Sequence, residues 1–187
     1  MIHAEKIIFE KYEHFVKQTF RNRALIYSAN GLQQLIVPIK HGNLYRIPMH
    51  EIKISSDSPW HRIHWRSLES AYRKSPYFEY FESELKPFFE KPAEKLFDFN
   101  LALTEKIFSL LRLDFNPGFT SAYEKEFPGK KDFRNYFVPG KRNLGLPVYQ
   151  QVFSDRHNFI PDLSILDLLF NKGMESKNYL AEIGSAE

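Results

Sequence analysis

The spacing of apolar positions changes along this chain, and each change marks a new kind of element. Towards the N-terminus the apolar positions form short runs or alternate. In AEKIIFEKY (residues 4–12), Ile7, Ile8 and Phe9 predict a strand. From Thr19 to Ser28 apolar and polar residues alternate. Asn30-Gly31 then supplies residues tolerant of positive φ, and QQLIVPI (33–39) resumes the extended pattern, so the stretch predicts a hairpin. EIKIS (51–55), with Ile52 and Ile54 on one face and Lys53 on the other, predicts a further strand.

The spacing then lengthens to that of helices. Ser58 ahead of Pro59 predicts an N-cap with proline at the first helical position, followed by Trp60, Ile63, His64, Leu68, Ala71 and Tyr72 on one face. Ser75-Pro76 repeats the start signal, and Tyr77, Phe78, Phe81 and Leu85 form the next stripe until Pro87. A third helix over about residues 97–112 is carried by Leu103, Ile107, Leu110 and Leu111. The proline- and glycine-rich stretch 114–147 excludes long regular elements, yet Phe119, Tyr123, Phe127, Phe133, Tyr136 and Phe137 predict a loop packed onto the domain, with the makings of a lid.

NFIPDLSILDLLFNKG (158–173) is the most apolar stretch of the chain. Ser164 predicts an N-cap, Asp167 falls three positions later as in a capping box, and Gly173 ends the helix. A helix over 165–172, roughly 12 Å long, is too short to persist without tertiary packing. Its narrow polar stripe has two readings. Asp167 and Asn171 cap the helix and face water, or they line a polar cleft beside the helix N-terminus. The pattern as a whole predicts an α/β fold in one unit spanning 1–187: a mixed sheet with an N-terminal hairpin, packed by three central helices and a short C-terminal helix.

Composition narrows the chemistry. The chain has 187 residues, 43% of them hydrophobic and 16% aromatic, enough for one core. A mean hydropathy of −0.44 and the lack of a long apolar run predict no membrane span. The start MIHAEKIIFE lacks the pattern of a signal peptide, so a cytoplasmic location is expected. Zero cysteines exclude disulfides and thiolate chemistry. The net charge of +3, from 26 basic and 23 acidic residues, does not point to nucleic acid as a partner.

Three groups of residues carry candidate chemistry. If KQTFRNR (17–23) is extended, Lys17, Arg21 and Arg23 share a face with cations about 7 Å apart, while Asn22 looks the other way. Such a face fits phosphate or carboxylate, or else an exposed edge whose cations pair with Glu10 or Glu13. His61 and His64 have helical i,i+3 spacing but no third ligand nearby, so no metal is expected; His64 is either a core histidine or a general base beside a cleft. Asp155-Arg156-His157-Asn158 is a compact polar cluster on a predicted loop, either solvated or in contact with substrate. The chain contains no glycine-rich phosphate loop, GxSxG, HExxH or dinucleotide fingerprint, and no cofactor is expected.

Five segments in order resemble the WbqC-like protein family: FVKQTFRNRALI (15–26), ANGLQQLIVPIKHG (29–42), WHRIHWRSLESAYRKSPYFEYF (60–81), DFNLALTEKI (98–107) and PVYQQVFSDRHNFIPDLSILDLLFN (147–171). The resemblance implies a setting in bacterial surface-polysaccharide and O-antigen assembly, with a transferase role supposed. It also implies that the family's first strand and helix, with their proline and aromatic motif, precede the point at which this chain opens. The expected enzyme binds a small anionic substrate, a sugar or activated donor. Lys17, Arg21 and Arg23 hold its charge, with Asn22 and Asn158 as further contacts; His64 or His157 moves protons; Asp167 and Asn171 orient it. The alternative is a non-catalytic interaction module of the same pathway, docking through its aromatic loop. The enzyme reading requires the basic strand and the C-terminal helix to border one hollow.

Overall fold

The computed structural model describes residues 4–40, 46–140 and 145–184. Its strands are short because few segments find a partner of matching length. β1 (Ile8–Phe9) lies parallel to β4 (Gly118–Phe119), while β2 (Arg23–Ser28) and β3 (Gly31–Ile36) form the antiparallel hairpin. The expected α/β architecture is present, its strands divided between these two pairs. Hairpin pairing runs from Arg23 opposite Ile36 to Ser28 opposite Gly31, so the turn residues are Ala29 and Asn30 rather than Asn30 and Gly31. Gly31, at φ +90°, takes the left-handed position that returns the chain into β3.

β2 begins at Arg23, not at Thr19. Residues 17–21 turn instead, with Gln18 at φ +61°, and this breaks the extended register assumed for KQTFRNR. EIKIS is extended but forms only isolated bridges, Ile39 to Ile54 and Lys53 to Lys95. Its backbone is still bonded on both sides, by Lys40 N–H to Lys53 O (2.9 Å) and by Ile54 N–H to Glu94 O (2.8 Å), with Ile52 and Ile54 buried. Pro38 and Pro92 flank the partner segments and cannot extend the ladders.

The helices are α1 (Trp60–Tyr72), α2 (Phe78–Leu85), α3 (Pro87–Glu90), α4 (Leu96–Leu110), α5 (Ser154–His157), α6 (Ile165–Lys172) and α7 (Ser176–Gly184). α1 starts one residue later than the Ser58-Pro59 signal predicts. Pro59, at ψ +47°, is outside the helix and its carbonyl accepts from Ile63 N–H (3.1 Å). Ser75 does not cap α2; its hydroxyl donates to Tyr72 O (2.7 Å) and closes α1. One face of α1 packs on the hairpin, and Trp65 meets the Phe78 and Phe89 rings at 5.8 and 5.7 Å from α2 and α3.

α6 has the predicted bounds. Ser164 Oγ accepts from Leu166 N–H (3.3 Å), and the Ser164 N–H itself donates to Leu25 O (2.7 Å) on the outer edge of β2. Burial of Leu166, Leu168, Leu169 and Phe170, at about 1.5–3 kcal/mol each, offsets the marginal stability of so short a helix. α7 has no counterpart in the sequence-based reading. It is held by Ser176 Oγ donating to Leu168 O (3.2 Å) and by Tyr179 OH donating to Pro147 O (2.7 Å). Of the aromatic residues in 114–147, Phe119 of β4 packs on Phe9 and Phe97 and Tyr123 stacks on His14, while Phe133, Tyr136 and Phe137 pack on one another; these five are exposed and Phe127 is half-buried.

Gly173 joins α6 to the following turn at φ +58°, and a Cβ there would sit 2.7 Å from the Tyr77 ring. Gly173→Ala therefore combines backbone strain with a clash and is expected to cost about 2 kcal/mol or more, roughly 5–10 °C in unfolding temperature. A variant that melts with the parent protein shows that the α6–α2 contact is not tight.

Candidate functional site

A carboxylate with no exposed surface needs hydrogen-bond donors, and the chain supplies them from remote positions. Asp167, on α6, is fully buried. Its Oδ2 accepts from Tyr149 OH (2.7 Å) and from Gln151 Nε2 (3.0 Å). The Tyr72 phenol of α1 is its further neighbour, while Oδ1 lacks a partner of good geometry. Burial raises the Asp167 pKa, and the surrounding donors oppose that shift without cancelling it. Burial and the nearby carboxylate raise the Tyr149 and Tyr72 phenols as well, so they remain protonated donors.

The network continues outward. Tyr72 OH accepts from Tyr27 N–H (2.9 Å), and Tyr27 OH is within 2.9 Å of Phe153 O and 2.7 Å of Asn158 O. Gln151 spans the base of the 151–160 loop: its Nε2 donates to Ile160 O (2.9 Å) and its Oε1 accepts from Ile160 N–H (2.9 Å). At the rim of that loop Asn158 adopts φ +58°, an uncommon conformation for a non-glycine residue.

An open depression of about 380 Å³ lies directly over this network, lined by Val148, Tyr149, Gln150, Ser154, Asp155, Asn158 and Phe159. Two aromatic rings and an aliphatic side chain form its apolar part, with the rings of Tyr149 and Phe159 5.2 Å apart and edge-on. The others present hydroxyl, amide and carboxylate groups. Such a surface suits a small ligand with an apolar face and several hydroxyls.

Four of the sequence-predicted residues come together here. Asn158 lines the depression, Asp167 lies beneath Tyr149, and Asn171 Nδ2 donates to Asp167 O (2.7 Å). His157 adjoins Asn158, with its Nε2 3.0 Å from Ala29 O on the hairpin turn. The Asp167 side chain neither faces water nor closes a capping box, because the Ser164 N–H that it would have met is bonded to Leu25.

The basic residues do not border this depression. Arg21 donates from Nε and Nη2 to the two Glu13 oxygens (2.8 and 2.6 Å) and lines a separate cavity of about 160 Å³ with Glu10, Asn100 and Thr104. Neither cavity shares a lining residue with the other. Lys17 is exposed in the turn before β2, and Asn22 is buried with its Nδ2 donating to Val37 O (3.0 Å). Arg23 stands on β2 with its Nε buried and unpartnered. His64 packs edge-on against Trp60 (5.1 Å), and burial lowers its pKa to about 4. Eight helix positions separate it from Tyr72, about 12 Å along α1. Among the described residues, no three of His, Asp and Glu gather to hold a metal ion.

Tyr149 and Gln151 escaped the sequence-based reading because an uncharged pair in a non-periodic segment carries no signal. Tyr72 had one: a tyrosine among the apolar positions of a helix needs a partner for its hydroxyl.

Sequence comparison gives a consistent lineage. The WbqC-like protein family matches residues 1–135. The uncharacterised protein Rv1507c of Mycobacterium tuberculosis is 27% identical over 206 residues, covering 94% of this chain and 87% of that protein. No solved structure matches the chain.

Two titrations follow from the burial. Asp167 is raised when folded, so its contribution to stability is complete below the ordinary carboxyl pKa of about 3.9 and is lost as pH rises through the folded value. Asp167→Asn, which keeps an acceptor for Tyr149 and Gln151, is expected to gain stability relative to the parent as pH rises above the ordinary carboxyl range in denaturant unfolding. A difference that stays constant from about pH 3 upwards contradicts the shift. His64 is lowered, so its contribution is complete above about 6.5 and is lost as pH falls towards 4, about 3 kcal/mol in all. Its imidazole resonances should stay in the neutral position down to pH 5.5, and a midpoint near 6.5 shows that His64 is solvated.

Proposed function

The chain belongs to the WbqC-like protein family, and on that footing we propose that it is a transferase-type enzyme of bacterial surface-polysaccharide assembly, seating the sugar of an activated precursor in the depression beside Tyr149. One observation carries this reading: aromatic and hydroxyl-binding side chains line a single concavity whose floor is held by the buried Asp167 network. The rings of Tyr149 and Phe159 take the C–H face of a sugar, while Gln150, Ser154 and Asn158 bond its hydroxyls.

In the transfer an acceptor hydroxyl oxygen bonds the anomeric carbon, the bond from that carbon to the precursor's phosphate oxygen breaks, the phosphate leaves as the anion, and a base takes the hydroxyl proton. Asp155 is the carboxylate lining the depression, and His157 is the neighbouring imidazole. Asp167 and Asn171 act beneath the surface, holding Tyr149 and the end of α6 in place. The anionic part of the precursor needs a cation. Arg21 is neutralised by Glu13, which leaves Arg23. Arg23 stands four residues before Tyr27 on β2, about 13 Å of strand, and the buried Tyr27 hydroxyl touches Asn158 O, so the end of β2 that carries Arg23 is within reach of an extended precursor seated at Asn158.

A thermal-shift screen of nucleoside diphosphate sugars tests the reading. At a concentration of about 100 Kd the true ligand adds about 2.7 kcal/mol, roughly 5–10 °C. Asn158→Ala should abolish the shift, Asp155→Ala should largely keep it because that carboxylate acts on the acceptor, Arg23→Ala should weaken it for the diphosphate sugar but not for the free sugar, and Arg21→Ala should leave it intact. Stabilisation that depends on Arg21 and not on Asn158 transfers the site to the other cavity and ends this proposal.

A further inference from the structure

The smaller cavity carries a charge that the proposed sugar site does not use. It lies between the N-terminal segment and α4, with a volume of about 160 Å³. On α4, Phe97, Asn100, Leu101 and Thr104 follow the i, i+3, i+4, i+7 spacing of one helix face, so two apolar and two polar side chains line the same wall. Phe9 and Met49 extend the apolar part, while Glu10, Glu13 and Arg21 supply the charge.

Two carboxylates thus face one guanidinium. Glu13 is matched by Arg21, which donates to both of its oxygens. Glu10 is met on one side only: its Oε1 accepts from Tyr12 N–H (2.6 Å) and from the Thr120 hydroxyl (2.9 Å), whereas its Oε2 is buried with no partner among the described residues. The nearest other cations are engaged elsewhere. Lys11 holds its ammonium over the Tyr12 and Phe119 rings at 5.3 and 6.0 Å, Arg134 pairs with Asp132, and no lysine lines the cavity. The two polar groups of α4 have already spent their donors. Asn100 Nδ2 donates to Arg21 O (2.7 Å) and the Thr104 hydroxyl donates to Asn100 O (2.7 Å), which leaves Asn100 Oδ1 and Thr104 Oγ able to accept.

We propose that this cavity binds a small organic cation, a primary ammonium on a short apolar chain, at a site separate from the sugar depression. An ammonium has three N–H donors and no acceptor, and the cavity offers it three unfilled acceptors in Glu10 Oε2, Asn100 Oδ1 and Thr104 Oγ. The Glu10 carboxylate supplies the opposite charge, and bonding its buried oxygen removes the penalty of an unsatisfied acceptor. Phe9, Phe97, Met49 and Leu101 take the chain, with ring faces that also favour a cation. An anion fits poorly, because Arg21 is committed to Glu13 and Glu10 stands beside it. A metal ion fits poorly as well, since no three of His, Asp and Glu gather among the described residues.

Thermal shift and calorimetric titration of the full chain with n-butylammonium chloride test this. The salt should raise the unfolding temperature and bind saturably. Three comparisons should do neither: sodium chloride at equal ionic strength, n-butanol, which has the chain without the charge, and tetramethylammonium, which has the charge without N–H donors. Glu10→Gln keeps an acceptor for Tyr12 and Thr120 and should lower the affinity at least tenfold; Thr104→Val, which preserves side-chain volume on α4, should lower it severalfold. Asn158→Ala, in the depression, should bind butylammonium like the parent, so the outcome is separable from that of the sugar screen. Absence of saturable binding, equal stabilisation by butanol or tetramethylammonium, or undiminished affinity in Glu10→Gln or Thr104→Val overturns the proposal. So does stabilisation by acetate that is lost in Arg21→Ala, which makes the cavity an anion site.

Discussion

The buried carboxyl of Asp167 constrains more of this structure than any other group. A carboxyl removed from water is met by donors and ionises less readily, and both effects operate here: Tyr149 and Gln151 bond it, and burial raises its pKa. The surrounding residues come from α1, the hairpin, the 149–160 segment and α6. The hydrogen bonds therefore only form together once those four pieces have docked. Tyr72 extends the constraint to the backbone of β2, and Tyr27 extends it again to the carbonyls of Phe153 and Asn158.

That arrangement decides the character of the candidate site. Gln151 uses both ends of its amide to close the loop bearing Ser154, Asp155 and Asn158, so a buried neutral side chain sets where three exposed polar ones stand. The depression acquires hydroxyl-bonding groups and ring faces without a concentrated charge. Arg21, by contrast, is matched by Glu13 in a bidentate pair, which suits it to joining the N-terminal turn to the aromatic loop. The two concavities thus have different chemistry: one open and polar, the other smaller, with its guanidinium already paired to Glu13 and Glu10 beside it.

Periodicity made much of the fold legible. α6 ends where the Ser164 and Gly173 signals place it, because capping and left-handed glycine act within a few residues. The hairpin and the three central helices are likewise local consequences of pattern. Errors arose where a tertiary partner won. The Ser164 N–H bonds Leu25 instead of a capping side chain, residues 17–21 turn to bring Arg21 onto Glu13, and α7 forms against α6 and Pro147 with little local signal. In the aromatic loop, composition could not say which rings would meet the domain: Tyr123 stacks on His14, whereas Phe133, Tyr136 and Phe137 pack on one another and remain exposed.

By itself the sequence determined the succession of elements, the α/β class, the family and the presence of a conspicuous polar stripe on α6. Each of these depends on neighbours a few residues apart or on order along the chain. Tertiary structure alone decided that Asp167 points inward, that Tyr149 and Gln151 belong with it, and that Arg21 and Asp167 serve different concavities. Those facts depend on which distant donors reach a desolvated carboxyl, a competition settled only when the whole core closes.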